Sequence, residues 1–93
     1  MIDEGPTART IRSKLAAAFA PRALEITDDS ARHAGHSGSR PGGETHFNLV
    51  IVSSAFEGLS RVERQRRINR VLDEELAGPV HALSIRALAP GEA

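Results

Sequence analysis

The residues best suited to chemistry in this chain are its histidines, because a sequence without cysteine has no thiol to act as nucleophile or metal ligand. His33 and His36 lie three positions apart in a stretch rich in glycine and serine, and His46 opens an apolar run. His81 follows Pro79 at the start of another apolar run. Neutral imidazole is a common ligand for transition metals, so metal binding is the chemistry that these side chains would support.

Spacing alone does not make the histidines a metal motif. A structural zinc site takes four nitrogen or sulfur ligands and a catalytic site takes three plus water, and no spacing rule joins His46 or His81 to the loop pair. The structural alternative for His33 and His36 is a pair of solvated loop side chains. For His46 it is a partly buried strand histidine bonded to a loop carbonyl, and for His81 a satisfied histidine at the edge of the core.

Other catalytic patterns are missing from the sequence. The stretch "GHSGS" does not match G-x-S-x-G because Ser39 stands where the final glycine belongs, and no phosphate-binding glycine loop is present. Neighbouring carboxylates occur at Asp28–Asp29 and at Asp73–Glu75, and the second group is expected on a solvated helix surface. The sequence therefore predicts a protein that is not an enzyme.

Length and charge narrow the class further. The 93 residues predict one domain over 1–93, with a core over about 8–90 and flexible tails such as 89–93. Twelve basic and twelve acidic residues cancel, which argues against bulk affinity for nucleic acid or membranes. No apolar stretch approaches the about 20 residues of a membrane span, and the first residues lack the apolar core of a signal peptide. We therefore expect a soluble, cytoplasmic protein.

One local charge pattern stands apart from this balance. Five of the twelve basic residues fall within ten positions of one predicted helix, namely Arg61, Arg64, Arg66, Arg67 and Arg70. Arginine suits phosphate oxygens, and such contacts would give salt-dependent binding that tolerates many sequences. The alternative is a solvated helix face balanced by Glu63, Asp73 and Glu74.

Hydrophobic periodicity predicts the elements that position these groups. The stretch "TARTIRSKLAAAFA" indicates an amphipathic helix that Pro21 stops, and "ALEIT", "THFNLVIV" and "VHALSIRAL" indicate three strands. Ser60 and Glu63 form a capping-box pattern that starts a second helix, which Gly78 and Pro79 end. A strand that follows a helical crossover can lie parallel to the strand before it. We therefore expect an α/β (α+β) domain with a small three-stranded mixed sheet packed against helices.

Three segments together resemble the BolA family over roughly residues 10–92. They are "LEITDDSARHAGH", "GGETHFNLVIVSSAFEGLSRVERQRRINRVLDEEL" and "GPVHALSIRALAPGE". The T-H-F strand, the V-S-x-x-F-x-G turn and the terminal V-H-A-L strand occur in the order and spacing of that family. The resemblance implies a class II KH-like fold, which agrees with the order of elements read from periodicity.

The resemblance also implies a cofactor and a partner. In that family a [2Fe–2S] cluster is shared with a monothiol glutaredoxin in a heterodimer, for iron–sulfur cluster assembly and trafficking or for iron regulation. Glutaredoxin supplies a cysteine, glutathione supplies a thiolate, and the BolA-like protein supplies the V-H-A-L histidine and a loop residue. Here these are His81 and His33, with His36 as the competing loop ligand. Alone, the chain is expected to hold no cluster and to be a monomer or a weak homodimer.

One departure from the family pattern concerns nucleic acid. Members often carry R-H-R in the second helix, whereas this chain has Arg64, Gln65 and Arg66. Some members act as DNA-binding regulators, and this helix region is implicated. The alternative function is therefore a transcriptional regulator that binds DNA through Arg64, Arg66, Arg67 and Arg70.

Overall fold

The computed structural model describes residues 4–29 and 45–93, and their elements follow the predicted order. The helices and strands are α1 (Pro6–Phe19), β1 (Ala23–Asp28), β2 (His46–Val52), α2 (Arg61–Val71), α3 (Asp73–Ala77) and β3 (Ala82–Leu88). Two short 3₁₀ turns span Ser54–Phe56 and Pro90–Glu92. None of the helices in these ranges is long and apolar enough to cross a bilayer.

The three strands form one mixed sheet in the order β1-β2-β3. β1 and β2 are antiparallel, with Leu24 opposite Ile51. β2 and β3 are parallel, with His46 opposite Ala82, as the helical crossover between them allows. The predicted three-stranded mixed sheet is confirmed, and the parallel pairing brings the first residues of β2 and β3 to the same edge.

The core lies between the helices and one face of this sheet. In β2, alternate side chains point to opposite faces, so Phe47, Leu49 and Ile51 are buried while Asn48 and Val50 are half-buried on the other face. This is the alternation that the sequence predicts. The buried core side chains are Ala8, Ile11, Leu15, Phe47, Leu49, Ile51, Phe56, Ile68, Leu72 and Val80.

The second predicted helix is divided at Leu72, whose backbone has φ −100° and ψ 21°. The helical hydrogen bonds continue across this residue, because its N–H bonds Ile68 O at 3.0 Å and its carbonyl accepts from Leu76 N–H at 3.0 Å. The chain therefore bends at a core residue and does not stop there. At the start of α2, Ser60 Oγ accepts from Glu63 N–H at 3.1 Å, as one half of the capping box requires.

The prediction that residues 89–93 form a tail is wrong. Ala89 is buried, and the Glu92 carboxylate accepts its N–H at 3.0 Å. The same carboxylate receives two bonds from the Arg64 guanidinium, at 2.5 and 2.9 Å. Arg64 also donates to Leu59 O and Ala87 O, each at 3.0 Å. A bidentate pair with further backbone bonds therefore fixes the C-terminal turn to α2 and β3.

Protonation of Glu92 is expected to loosen this turn in acid. Hydrogen bonds from Arg64 and from the Ala89 N–H lower the pKa of Glu92 from 4.5 to about 2. A carboxyl with a lowered pKa in the folded state stabilises the fold above its unfolded pKa, and that contribution is lost as the pH falls from about 4.5 towards about 2. We expect the Tm of the wild type, measured by circular dichroism, to fall over this window by more than that of Glu92→Gln.

The matched control is Glu57→Gln, which alters an exposed carboxylate in the turn after Phe56. This variant should keep the acid dependence of the wild type, and Glu92→Gln should already have a lower Tm at neutral pH. Parallel Tm curves for the wild type and Glu92→Gln across the acid range would show that the Arg64–Glu92 pair does not stabilise the fold.

Candidate functional site

Two of the histidines meet where β2 and β3 begin. The ring centroids of His46 and His81 lie 6.2 Å apart, with an angle of 73° between the ring planes. His46 is half-buried and His81 is exposed. The parallel pairing of the two strands causes this proximity, because it places His46 opposite Ala82, the residue that follows His81. The structure therefore presents two imidazoles at one edge of the sheet.

A single buried residue holds both histidines in place. Thr45 is 8% exposed, and its carbonyl accepts the N–H groups of His81 at 2.8 Å and of Ala82 at 3.2 Å. Its hydroxyl Oγ1 lies 2.9 Å from His46 Nδ1. The backbone of His81 and the ring of His46 are thus fixed by one threonine that belongs to the T-H-F motif.

The exposure of His81 differs from the structural alternative of a satisfied histidine at the core edge. Leu83 and Ile85 do pack against the core, as the alternation of β3 predicts. His81 precedes the first residue of that strand, so its side chain leaves the alternation and lies in solvent.

The other two predicted ligands, His33 and His36, lie outside the described residues. The chain on either side of them is described, and both flanks lie at the histidine edge. Asp29 N–H donates to His46 O at 2.7 Å, and Thr45 directly precedes His46. Asp29 and Thr45, the described residues that flank this segment, therefore both lie next to the backbone of His46.

The described part of the chain does not complete a metal site. Within residues 4–29 and 45–93, no group of three or more His, Cys, Asp or Glu side chains is arranged to hold a metal ion. An exposed imidazole can still provide one ligand of an iron–sulfur centre, as histidine does in Rieske clusters, provided that the other ligands come from elsewhere.

The arginines of α2 divide into interior and surface groups. Arg64 lies four residues before Ile68, so it shares the inward face of the helix, and its side chain is only 10% exposed. Its guanidinium donates hydrogen bonds to Glu92 and to two backbone carbonyls. Arg64 is therefore not placed to contact DNA phosphates, unlike the other arginines predicted to bind DNA. The side chains of Arg66 and Arg67 are 70% and 48% exposed, and both pair with Glu63. Arg70 is also exposed.

Comparison with known proteins decides the family. A family model described as BolA-like protein matches residues 15–92. This chain belongs to the BolA family. BolA-like protein 1 of Pongo abelii is 50% identical over 88 residues, which cover 95% of this chain and 61% of that relative. The chain thus spans about three fifths of the length of the mammalian BolA-like proteins that it matches.

Solved BolA structures share the fold. The BolA domain of SufE1 from Arabidopsis thaliana is 47% identical, with a TM-score of 0.86, and the match covers 98% of this chain and 100% of that chain. BolA1 from the same plant is 40% identical with a TM-score of 0.82, and the match covers 99% of each chain. The family and the fold that the sequence motifs predict are both confirmed.

Proposed function

We propose that this BolA-family chain is the partner of a monothiol glutaredoxin and shares with it a [2Fe–2S] cluster, for cluster assembly and trafficking or for iron regulation. The observation that carries the proposal is the exposed side chain of His81 at the edge of the sheet where β2 and β3 begin. The carbonyl of Thr45 holds the backbone of His81 at this edge. The residue is exposed, so a second protein could reach it, and its backbone N–H donates to Thr45 O at 2.8 Å.

The donor set suits a shared cluster. Cysteine is lacking in this chain, so the thiolates that such clusters usually require must come from the glutaredoxin and from glutathione. His81 would supply one imidazole, and His33 or His36 would supply the second. The positions of Asp29 and Thr45 support a loop ligand, because these residues flank the segment with His33 and His36 in the sequence and both lie next to His46. Imidazole ligands would leave the cluster less negative than thiolates do and would raise its potential.

Anaerobic cluster reconstitution with a monothiol glutaredoxin and glutathione tests the proposal. We expect a 1:1 complex whose visible absorption and circular dichroism differ from those of the glutaredoxin homodimer. His33→Ala and His36→Ala serve as matched controls for each other, because both remove one imidazole from the same segment. The variant that changes the spectrum identifies the loop ligand. If the wild type forms no complex, or if both loop variants and His81→Ala give the wild-type spectrum, the proposal fails.

A second candidate function is DNA binding, which the exposed arginines of α2 favour. Arg66, Arg67 and Arg70 lie at the surface of one helix, where they can contact phosphate oxygens. We expect binding to duplex DNA, measured by fluorescence anisotropy, to weaken steeply with salt. The double variant Arg66→Ala/Arg70→Ala should reduce the salt slope by about 2, because each phosphate contact contributes about 1. Undetectable binding at low salt, or an unchanged slope in the double variant, would exclude this function.

A further inference from the structure

The ring of His46 has no part in the proposed ligand set, yet within residues 4–29 and 45–93 it lies beside the ring of His81. The two rings meet edge to face, with centroids 6.2 Å apart and planes at 73°. That arrangement is a favoured one for aromatic pairs, whose centroids lie about 4.5–7 Å apart when they interact. The two rings are therefore close enough to interact.

The ring of His46 is itself held by Thr45. Thr45 Oγ1 lies 2.9 Å from His46 Nδ1, which fixes the orientation of this ring about its bond to the backbone. Thr45 also accepts the N–H groups of His81 and Ala82, so the same residue sets where the His81 backbone begins. The three residues form one connected unit, in which Thr45 holds the His46 ring and the His46 ring borders the His81 ring.

We infer that His46 is a positioning residue that holds the His81 imidazole in one orientation before a partner arrives, an inference that rests on the proposed role of His81 as a cluster ligand. An exposed side chain that samples several rotamers must be ordered when it binds, and this ordering costs conformational entropy. Groups that orient a metal-binding histidine commonly determine how well it binds. The ring of His46 would reduce that cost without binding iron itself.

Two substitutions separate the ring contact from the imidazole nitrogens. His46→Phe keeps an aromatic ring beside His81 but removes both nitrogens, whereas His46→Ala removes the ring. If His46 positions His81 by contact, His46→Phe should resemble the wild type and His46→Ala should not. If His46 instead binds iron directly, the two variants should both lose the wild-type cluster spectrum.

The first readout uses the isolated chain without any cluster. NMR measurement of the Hα–Hβ couplings of His81, and of the relaxation of its ring carbons, reports how many rotamers the side chain samples. We expect one dominant rotamer in the wild type and in His46→Phe, and rotamer averaging in His46→Ala.

Asn48→Ala is the control, because Asn48 lies two residues after His46 on the same face of β2. It should leave the His81 couplings unchanged. Rotamer averaging of His81 already in the wild type, or unchanged couplings in His46→Ala, would overturn the inference. Backbone amide spectra of each variant establish that the domain is folded, so an unfolded variant is not mistaken for a loss of positioning.

The second readout is the circular dichroism of the reconstituted glutaredoxin complex. His46→Ala should shift the cluster bands and speed cluster loss, and His46→Phe should restore both. A wild-type chain that forms no cluster would refute the proposed function, whereas the rotamer result on the isolated chain would stand. Equal spectra and equal lifetimes for the wild type and His46→Ala would overturn the positioning role while leaving the shared cluster in place.

Discussion

His81→Ala is expected to abolish the cluster of the proposed complex with glutaredoxin while leaving the chain folded. The substitution removes the exposed imidazole, but the residue keeps its N–H bond to Thr45 O, so β3 still begins at the same place. Loss of one of the few available ligands leaves iron undercoordinated. The visible absorption and circular dichroism of the mixed complex should therefore disappear.

Ser84→Ala is the matched control for this prediction, since Ser84 is an exposed residue of β3 three positions further along the chain. It should retain the wild-type spectrum. Both variants change surface side chains and should alter the free energy of unfolding by at most about 0.5 kcal/mol. A wild-type cluster spectrum in His81→Ala would refute the ligand assignment.

Phe56→Ala is expected to lower the free energy of unfolding by about 3–5 kcal/mol, the usual cost of removing a buried aromatic ring. Phe56 is 0% exposed, and its ring centroid lies 5.0 Å from that of Phe19. Small domains have only about 5–15 kcal/mol of stability, so this loss is a large share of the total. Urea denaturation followed by circular dichroism measures it.

Val62→Ala provides the comparison, because Val62 is 57% exposed and its truncation should cost at most about 0.5 kcal/mol. A loss of less than about 1 kcal/mol in Phe56→Ala would contradict the description of this core. Phe56→Leu should recover part of the stability by filling much of the cavity.

The position of Phe56 also gives a structural meaning to the V-S-x-x-F-x-G motif. Ser53 is buried, donates to Phe19 O at 2.6 Å and accepts from Ala55 N–H at 3.0 Å. Gly58 has φ 77°, a conformation that side-chain-bearing residues rarely adopt. The motif therefore joins β2 to α2 and anchors the end of α1, and its residues stabilise the fold.

Patterns that are local in sequence predicted the fold well. The alternation in β2 placed Phe47, Leu49 and Ile51 in the core because strand side chains repeat every two residues. The helical crossover before β3 predicted its parallel pairing. Both inferences depend only on neighbours along the chain, which is why the sequence was sufficient for them.

Contacts between distant residues could not be predicted in the same way. Arg64 and Glu92 are separated by 28 positions, and no periodicity links them. Arg64 lies four residues before Ile68, a spacing that indicates an inward-facing side chain. In the sequence, Arg64 instead groups with the neighbouring arginines as part of one predicted basic surface. The meeting of His46 and His81 likewise depends on the register between β2 and β3, which the sequence does not specify.

The candidate site was predicted in part. The V-H-A-L motif pointed to His81, whose role as a ligand stays a prediction, and its exposure follows from its place just before β3 and not within it. Thr45 was recognised only as part of the T-H-F motif, and its three contacts with His46, His81 and Ala82 became visible in three dimensions. The choice between His33 and His36 stays a prediction for the loop variants to decide.

The most direct test of the shared cluster is to detect histidine nitrogen on its iron. The chain would be labelled with ¹⁵N-histidine, combined with unlabelled glutaredoxin and glutathione, reconstituted, reduced and measured by pulsed electron–nuclear double resonance. We predict a ¹⁵N hyperfine coupling that is missing from the complex made with the unlabelled chain, since the label enters the complex only through the histidines of this chain. A reduced cluster without any ¹⁵N coupling would show that no histidine of this chain binds iron.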